Sequence, residues 1–308
     1  MIVVSQFGTF YWSEYAARVA AELGYLKSAF FSTQCTNVSL PEQSLEIINP
    51  ALPYLSERIV SKANSYLRSE RLDQLRRYVH AVRKASFAKQ VSRTIDESVS
   101  IVHTFSAFQE SVFDSCDRFG VYKIVDWSIA HPAVLNQIAT EESRRWGVQV
   151  DGLADEKRIL RELARADTII VPSDFVLTSF ENERSVTSDM RVSPFGVDTS
   201  RFGVVPRSGL HTPIRVATAG ASSLRKGTVY LLEAVDQLRR SGVDAAAYLF
   251  GGVDRTVRRL IARYEHCIAF AGPVPQADLA KAHQEMDVFV LPSLAEGMAR
   301  SVIEAMAS

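Results

Sequence analysis

The stretch that decides the fold is Asp287-Val-Phe-Val-Leu-Pro-Ser-Leu-Ala-Glu296-Gly-Met-Ala-Arg-Ser-Val-Ile-Glu304-Ala-Met306. Its first part, from Val288 to Leu291, is short, apolar and rich in valine, which is typical of a strand covered on both faces. Pro292 and Ser293 end this strand, and a helix is predicted from about Ala299. The stretch therefore predicts one strand-loop-helix unit of an α/β sheet.

The loop of this unit is suited to an anion. Gly297 lets the backbone approach a ligand closely because it has no side chain. The free amides of Met298, Ala299 and Arg300 at the helix start would point toward any negative charge placed there. We therefore expect Gly297, Met298 and Ala299 to contact a nucleotide ligand.

Two carboxylates accompany the loop. Glu296 lies in the loop itself and Glu304 on the second turn of the helix. An ionised carboxylate only accepts hydrogen bonds, so each could take two neighbouring hydroxyls of a sugar or ribose ring. The alternative is that Arg300 and Glu304 form a surface pair and Glu296 is an ordinary loop acid.

A second strand-loop-helix unit lies upstream, at Ile214-Arg-Val-Ala-Thr-Ala-Gly220-Ala-Ser-Ser-Leu-Arg225-Lys226-Gly227, with a helix predicted from Thr228 to about Arg240. Two cations just before a helix start oppose the positive end of its dipole. A bound diphosphate would explain why two cations precede the helix, because Arg225, Lys226 and the loop amides could all bind its oxygens. The alternative is a solvated basic loop.

The two motifs resemble those of the retaining GT-B glycosyltransferases, a large group whose members carry an E-x7-E motif. Pro-Ser-x-x-Glu-Gly followed by Glu-Ala-Met-Ala is similar to that motif, and Arg225-Lys226-Gly227 to the family's diphosphate clamp. The resemblance implies that Glu296 contacts the donor sugar and Glu304 the nucleotide ribose. It also implies catalytic roles for Arg225, Lys226 and Glu296.

Other segments resemble the same family. Ser193-Pro-Phe-Gly196-Val-Asp198 is similar to its interdomain crossover, Val171-Pro-Ser173 to the strand-to-helix step before it, and Ala271-Gly272-Pro-Val274 to the loop that stacks on the nucleobase. Gly196, Gly220, Gly272 and Val274 are therefore expected to bind the nucleotide sugar. Ser173 is also a predicted helix N-cap.

The chain departs from the family pattern at two places. Ala221 follows the strand-ending Gly220, where many members carry an arginine, so Arg225 would have to supply that charge. The loop from Phe7 to Trp12 corresponds to the glycine-rich acceptor-side loop but has one glycine where two are common. The resemblance is strong from about residue 168 to 308 and weak before that.

Two histidines are candidates for the donor site. His103 is predicted to end one strand and His131 to follow another, at positions where family members place histidines near the donor sugar. A lone histidine is more often a structural residue than a ligand contact. We assign a catalytic role to His131.

The alternation of strands and helices predicts two Rossmann-like, doubly wound domains that face a cleft, and the resemblance implies that this is the GT-B fold. We expect an N-terminal domain at residues 1–205 and a C-terminal nucleotide-sugar-binding domain at 206–308. The second domain is expected to be incomplete, because the chain stops one residue past an apolar helical run. The predicted strands lie near Ile2 to Ser5, Ala29 to Ser32, Ser100 to His103, Val121 to Asp126, Thr168 to Val171, Arg191 to Ser193, Ile214 onward, Ala246 to Phe250, Ile268 to Ala271 and Val288 to Leu291.

Composition excludes several other classes. The 35 basic and 35 acidic side chains balance, so no nucleic-acid partner is indicated. Cys35, Cys116 and Cys267 are scattered, which indicates neither a disulfide framework nor a zinc site. We expect a cytoplasmic enzyme, since no apolar stretch approaches the roughly 20 residues that span a bilayer. We also expect no metal or cofactor, because Arg225 and Lys226 would supply the positive charge.

A basic segment stands apart at residues 57–93. It carries ten Lys or Arg residues against Glu57, Glu70 and Asp73. Such a helical insert could contact anionic lipid at the inner membrane face, as in GT-B enzymes with membrane acceptors. The alternative is a solvated helical face.

The sequence thus predicts a hexosyltransferase that moves a sugar from a nucleoside-diphosphate sugar to a hydroxyl of a saccharide or lipid-linked acceptor, with retention and without a metal. A nicotinamide oxidoreductase is disfavoured because no G-x-G-x-x-G follows a strand. A non-catalytic sugar-nucleotide-binding or interaction domain remains the alternative.

Overall fold

The computed structural model describes residues 1–6, 11–32, 45–47, 70–105, 109–148, 150, 152–153, 155–206, 209–275 and 277–308. These residues form two compact units. The first comprises Met1–Ser128, Lys157–Val171 and Arg184–Val192, and the second comprises Ile129–Glu156, Pro172–Glu183 and Ser193–Ser308. The predicted domain boundary between residues 205 and 206 stays a prediction.

The first unit is built on a parallel sheet of seven strands in the order β3-β2-β1-β4-β5-β6-β7. From β1 the strands run outward in both directions, which is the doubly wound arrangement. The strands are β1 (Ile2–Gln6), β2 (Leu26–Phe31), β3 (Leu45–Ile47), β4 (Ile101–Phe105), β5 (Tyr122–Asp126), β6 (Thr168–Val171) and β7 (Asp189–Val192).

Helices of this unit cover the sheet, because a parallel sheet needs apolar cover on both faces. They are α1 (Tyr11–Glu22), α2 (Glu70–Ser92), α3 (Glu110–Phe119) and α5 (Glu156–Leu163). Part of the core joins Ala17 and Ala20 of α1 to Val4 and Phe31 of the sheet. Cys116 on α3 is fully buried, and this burial raises the pKa of its thiol to about 12.

The second unit has a parallel sheet of four strands in the order β10-β9-β8-β11. These are β8 (Ile214–Ala219), β9 (Ala245–Phe250), β10 (Ile268–Gly272) and β11 (Val288–Phe289). Its helices are α4 (Pro132–Trp146), α6 (Asp174–Glu183), α7 (Thr228–Arg240), α8 (Arg258–Ile261), α9 (Leu279–Gln284) and α10 (Arg300–Met306), with a 3-10 helix at Ala262–Cys267 before β10.

Helix α7 is anchored by its apolar side. Val229, Leu232 and Val235 recur at helical spacing and are buried with Ala247 and Leu249 of the sheet. Each fully buried leucine or valine contributes about 1.5 to 3 kcal/mol relative to an exposed one. The start of α7, which carries the predicted clamp, is therefore fixed to the sheet.

Most predicted elements are confirmed. Helix α7 has the predicted bounds, and each predicted strand overlaps an observed one. Strand β3 was not predicted. Strand β11 is shorter than the predicted Val288 to Leu291, although the amide of Val290 still donates to the carbonyl of Ala217 at 2.8 Å.

The basic segment is described only in part, because residues 57–69 lie outside the described ranges. On α2, Arg83 is buried and its guanidinium donates to the carbonyl of Ser32 at 3.2 Å. Arg83 is thus part of the packing of the first unit and does not face a lipid surface. Lys89 and Arg93 are exposed. Within the described ranges, no helix combines the length and apolarity needed to cross a bilayer.

One buried histidine makes the second unit sensitive to acid. The side chain of His283 on α9 packs among Phe202, Phe250 and Phe289, and neither ring nitrogen has a hydrogen-bond partner among the described residues. Burial lowers the pKa of His283 below its usual 6.5. The folded state therefore disfavours the charged ring.

We predict that acid destabilises the protein through His283. Because the folded pKa lies below the unfolded one, the contribution is fully present above about pH 6.5 and is lost as pH falls through the folded pKa, with a slope of up to about 1.4 kcal/mol per pH unit. His283→Leu should flatten this part of a plot of melting temperature against pH. The pH 8 data are the control, and an equal loss in both proteins between pH 6.5 and 5 would refute the prediction.

Candidate active site

The second sheet has a topological switch point between β8 and β11, because β9 and β10 extend from one side of β8 and β11 lies on the other. In open parallel sheets, ligands bind outside the carboxyl ends of the strands at such a point. The loops that leave β8 and β11 there contain residues 220–227 and 290–299. Both predicted motifs therefore lie at the switch point of one sheet.

Two glycines allow the backbones to meet closely at this edge. Gly227 has φ +71°, and a Cβ added to it would lie 1.9 Å from the carbonyl oxygen of Pro292. A Cβ added to Gly251, after β9, would lie 2.0 Å from the carbonyl oxygen of Gly220. Neither position has room for any side chain.

The loop after β8 is held by its own polar groups. The Thr228 hydroxyl accepts from the amide of Ser223 at 3.2 Å, and the Ser223 hydroxyl accepts from the amide of Lys226 at 3.2 Å. The carbonyl of Arg225 accepts from the amide of Leu294 at 2.8 Å, so the two loops are joined through their backbones. These hydrogen bonds hold the backbone of Arg225 and Lys226 in one position.

Arg225 and Lys226 converge on one oxygen of Glu296. The Nη1 of Arg225 donates to Oε1 of Glu296 at 2.8 Å and to the carbonyl of Ala295 at 2.8 Å. The Nζ of Lys226 lies 2.6 Å from the same Oε1. The side chains of Arg225, Lys226 and Glu296 are 37%, 18% and 23% exposed, so the group is partly shielded from water.

The structure thus brings together three of the four residues that the sequence predicted to be catalytic, and His131 is not among them. The two cations face an anion, as predicted, but here that anion is Glu296 of the same chain. One carboxylate against two cations leaves a formal charge of about +1 at the switch point. A more highly charged anion would be attracted to the group.

Glu304 is buried on α10, and its carboxylate lies 3.6 Å from the guanidinium of Arg300. Burial raises the pKa of Glu304, while Arg300 and Arg201 act in the opposite direction. The contact with Arg300 matches the pairing of the structural alternative considered above, but Glu304 is buried and does not lie at the surface. A buried carboxylate with a raised pKa is also typical of functional sites, so the two interpretations are compatible.

The loop before α10 is tied to two distant segments. The Ser173 hydroxyl donates to the carbonyl of Gly297 at 2.5 Å, and the amide of Phe195 donates to the sulfur of Met298 at 3.2 Å. The Ser173 hydroxyl also accepts from the amide of Val176 at 3.5 Å, the N-cap contact predicted for α6. These bonds fix Gly297 and Met298 in place.

Two further predicted ligand residues flank this loop. Gly196 follows Phe195 and is exposed. Ala299 occupies the N-cap position of α10 with extended backbone angles, φ −77° and ψ 100°. The roles predicted for Gly196 and Ala299 stay predictions.

Gly272 lines a groove of about 540 Å³ that follows β10, together with Gly251 and Arg258. The carbonyl of Gly272 accepts from the amide of Gly251 at 2.8 Å. Val274 packs against the apolar cluster around Phe250. The groove has room for a planar ring.

His131 is the N-cap of α4 and is buried. Its Nδ1 accepts from the amide of Ala133 at 3.1 Å, its own amide donates to the hydroxyl of Ser179 at 2.9 Å, and its ring packs edge-on against Phe180. Burial lowers the pKa of His131, which favours the neutral ring with its proton on Nε2. These contacts give His131 a structural role, and its catalytic role stays a prediction.

His103 does not end its strand, as the sequence had predicted, because β4 continues to Phe105. Its Nε2 lies 2.6 Å from Oδ2 of Asp126, and its ring stacks on Phe105. Both belong to the first unit. Of the predicted acceptor-side loop, residues 7–10 lie outside the described part of the chain.

Sequence reasoning missed two features of the site. The hydroxyls of Ser222 and Ser293, one in each loop, are buried and have no hydrogen-bond partner within the described ranges. An apolar cavity of about 130 Å³ lies beside Arg225, with Glu142 at its wall. Neither has a sequence signal, because burial of a serine and the shape of a cavity depend on segments far apart in the chain.

Comparison with known proteins agrees with this geometry. Residues 213–308 match the family model described as glycosyl transferases group 1. The chain is 27% identical over 128 residues to the amylovoran biosynthesis glycosyltransferase AmsK of Erwinia amylovora, covering 38% of this chain and 31% of that protein. It is 29% identical over 154 residues to WcaL of Escherichia coli, named for colanic acid biosynthesis, covering 46% of this chain and 38% of that protein.

Solved structures extend the likeness to the whole chain. Sucrose-phosphate synthase from Thermosynechococcus elongatus superposes with a TM-score of 0.64 at 17% identity, covering 99% of this chain and 79% of that one. The UDP-forming trehalose-phosphate synthase of Burkholderia xenovorans gives 0.63 at 13% identity, covering 100% and 81%. These likenesses confirm the predicted GT-B fold.

We predict that Glu304→Gln stabilises the free protein at neutral pH. A raised folded pKa means that the stability contributed by Glu304 is fully present below about pH 4.5 and is lost as pH rises through the folded pKa. Glutamine carries no charge to bury, so the variant should melt at a higher temperature than the wild type at pH 7.

The gain should shrink toward pH 4.5, where the wild-type carboxyl is protonated. Glu285→Gln, at an exposed position of the same unit, is the control and should leave the melting temperature unchanged. A lower melting temperature for Glu304→Gln at pH 7 would show that the contact with Arg300 outweighs burial.

Proposed function

We propose that this chain, which has the GT-B fold and matches the group 1 glycosyl transferases over residues 213–308, transfers a sugar from a nucleoside-diphosphate sugar to an acceptor hydroxyl with retention of configuration. The supporting observation is the convergence of Arg225 and Lys226 on a single oxygen of Glu296 at the switch point of the sheet. Two fixed cations at such a point suit a diphosphate.

Donor binding would exchange one anion for another. The diphosphate oxygens would replace Oε1 of Glu296 at Arg225 and Lys226, because a diphosphate carries more charge than one carboxylate. Arg225 would keep its bond to the carbonyl of Ala295, which holds the guanidinium in place. Glu296, once released, could accept hydrogen bonds from two hydroxyls of the donor sugar.

Glu304 would take the ribose. Burial has already raised the pKa of its carboxyl, although Arg300, at 3.6 Å, and Arg201 act in the opposite direction. Two ribose hydroxyls would supply the hydrogen bonds that burial removes, which makes binding favourable at this position. The groove beside Gly272 would then hold the base.

In the transfer step the bond between the anomeric carbon and the diphosphate oxygen breaks, and the leaving diphosphate takes the electron pair. Arg225 and Lys226 stabilise this charge. The acceptor oxygen forms its bond to the anomeric carbon from the same face of the sugar, and its hydroxyl proton passes to an oxygen of the leaving diphosphate. Each such cation contributes about 2 to 4 kcal/mol if it acts like a single oxyanion donor. We propose that these side chains supply the charge without a metal or another cofactor.

The substrates and location follow by analogy. UDP is a product of one structural neighbour by its name, and both relatives are named for polysaccharide biosynthesis. We therefore propose a UDP-sugar donor and a saccharide or lipid-linked acceptor in the cytoplasm. The matched segments cover 31% and 38% of those relatives, so the activity and substrates of the whole protein are proposals.

We predict that Arg225→Ala combined with Lys226→Ala abolishes UDP binding and leaves the fold intact. Each lost charge-assisted bond should weaken binding by about 1.5 to 3 kcal/mol, measured by calorimetry with UDP as the probe. Transfer should fall by roughly 30-fold to 1,000-fold for each cation.

Arg259→Ala combined with Lys281→Ala is the matched control, because it removes the same charges from exposed positions of the second unit. It should bind UDP as the wild type does. UDP binding at wild-type affinity in the clamp variant, with an unchanged melting temperature, would refute the proposed function.

We predict opposite effects for the two carboxylates. Glu296→Gln removes the internal competitor for Arg225 and Lys226, so UDP should bind at least as tightly as in the wild type while transfer falls. Glu304→Gln should weaken UDP binding by about 1 to 3 kcal/mol, because the ribose loses an acceptor. Equal affinity of both variants for UDP would contradict the assigned roles.

A further inference from the structure

A cluster of three different donor groups lies at the far end of α7 from the clamp. It consists of Asp236 on α7 and the neighbours His266 and Cys267 in the 3-10 helix before β10. Oδ1 of Asp236 lies 2.9 Å from Nε2 of His266 and 3.9 Å from Sγ of Cys267. The three donor atoms all lie within 4.8 Å of one another.

Two features of the cluster are compatible with a bound cation: its opening to solvent and the orientation of its carboxylate. Asp236 and Cys267 are buried, whereas the His266 side chain is 57% exposed, so the cluster opens to solvent on the histidine side. The second oxygen of Asp236, Oδ2, lies 2.6 Å from the guanidinium of Arg240. Arg240 therefore orients the carboxylate and leaves Oδ1 facing the other two donors, as outer partners of metal ligands do.

Sulfur, imidazole nitrogen and carboxylate oxygen are the three ligand types of zinc. Zinc bonds of about 2.0 to 2.3 Å in tetrahedral geometry place neighbouring donors roughly 3.3 to 3.6 Å apart. The observed 2.9 Å and 3.9 Å bracket that range. Small side-chain rotations would bring the donors to the zinc distances, and the exposed imidazole is the ligand most able to move.

We propose that Asp236, His266 and Cys267 bind one zinc ion, with a water molecule as the fourth ligand on the solvent side. The thiol of Cys267 would release its proton to solvent as the metal binds, and zinc would stay divalent. The competing interpretation is an ion-pair network of Asp236 with His266 and Arg240 that binds no metal.

Such a metal would link α7 to the chain segment that enters β10. Asp236 lies eight residues after Thr228, about 12 Å along the helix axis. The zinc site would therefore be separate from the proposed diphosphate clamp and would act on the stability of the second unit. The inference does not depend on the proposed function.

The test uses Co²⁺ as a spectroscopic probe on the metal-free protein. One equivalent of Co²⁺ should bind and give a thiolate-to-cobalt absorption band in the near ultraviolet. Its visible absorption bands should have the high intensity of tetrahedral Co²⁺, and Zn²⁺ should displace the Co²⁺. Zn²⁺ should also raise the melting temperature. His266→Ala removes an exposed ligand and should weaken Co²⁺ binding at least tenfold with the fold intact.

Cys267→Ser should remove the thiolate band. Cys116→Ser is the matched control because Cys116 is also a buried free thiol, and Cys35→Ser serves for the remaining cysteine. Both controls should bind Co²⁺ as the wild type does. The proposal would be overturned by any of three results. The wild type would show no stoichiometric thiolate band, His266→Ala would bind Co²⁺ with full affinity and the same band, or either control would lose the band.

Discussion

The site at the switch point of the second sheet depends on the absence of two side chains. At Gly227 and Gly251 the next backbone is so close that even a methyl group would overlap a carbonyl oxygen. This contact lets the loop after β8 lie against the loop after β11, where the amide of Leu294 bonds to the carbonyl of Arg225. The contacts of Arg225 and Lys226 with Glu296 require this close approach of the two loops.

The electrostatics of the free site follow from the same approach. Two cations brought near each other in a partly shielded loop repel, and Glu296 offsets that repulsion by sharing one oxygen between them. A carboxylate in this position keeps the cations in place before any ligand arrives. An anionic ligand at Arg225 and Lys226 would have to compete with Glu296, which would favour anions that carry more than one charge.

The sequence predicted the fold, and it predicted that both motifs lie at the carboxyl ends of strands, because both depend on local patterns. The roles of the motif residues stay predictions. Helix α7 was predicted with its observed bounds because its apolar residues recur at helical spacing and its polar flanks are clear. The predictions were weaker where distant segments decide the outcome. Strand β3 is three residues long, His103 lies within a strand that continues to Phe105, and Asp236 meets Cys267 across 31 positions, so none of these had a local signal.

The burial of Cys116 gives the first unit a further property. A thiol with a pKa of about 12 has almost no thiolate at neutral pH, and it is shielded by the surrounding core. An alkylating reagent can react with it only when the surrounding helices and strands separate. The labelling rate of Cys116 therefore reports the opening kinetics of the first unit without any introduced probe.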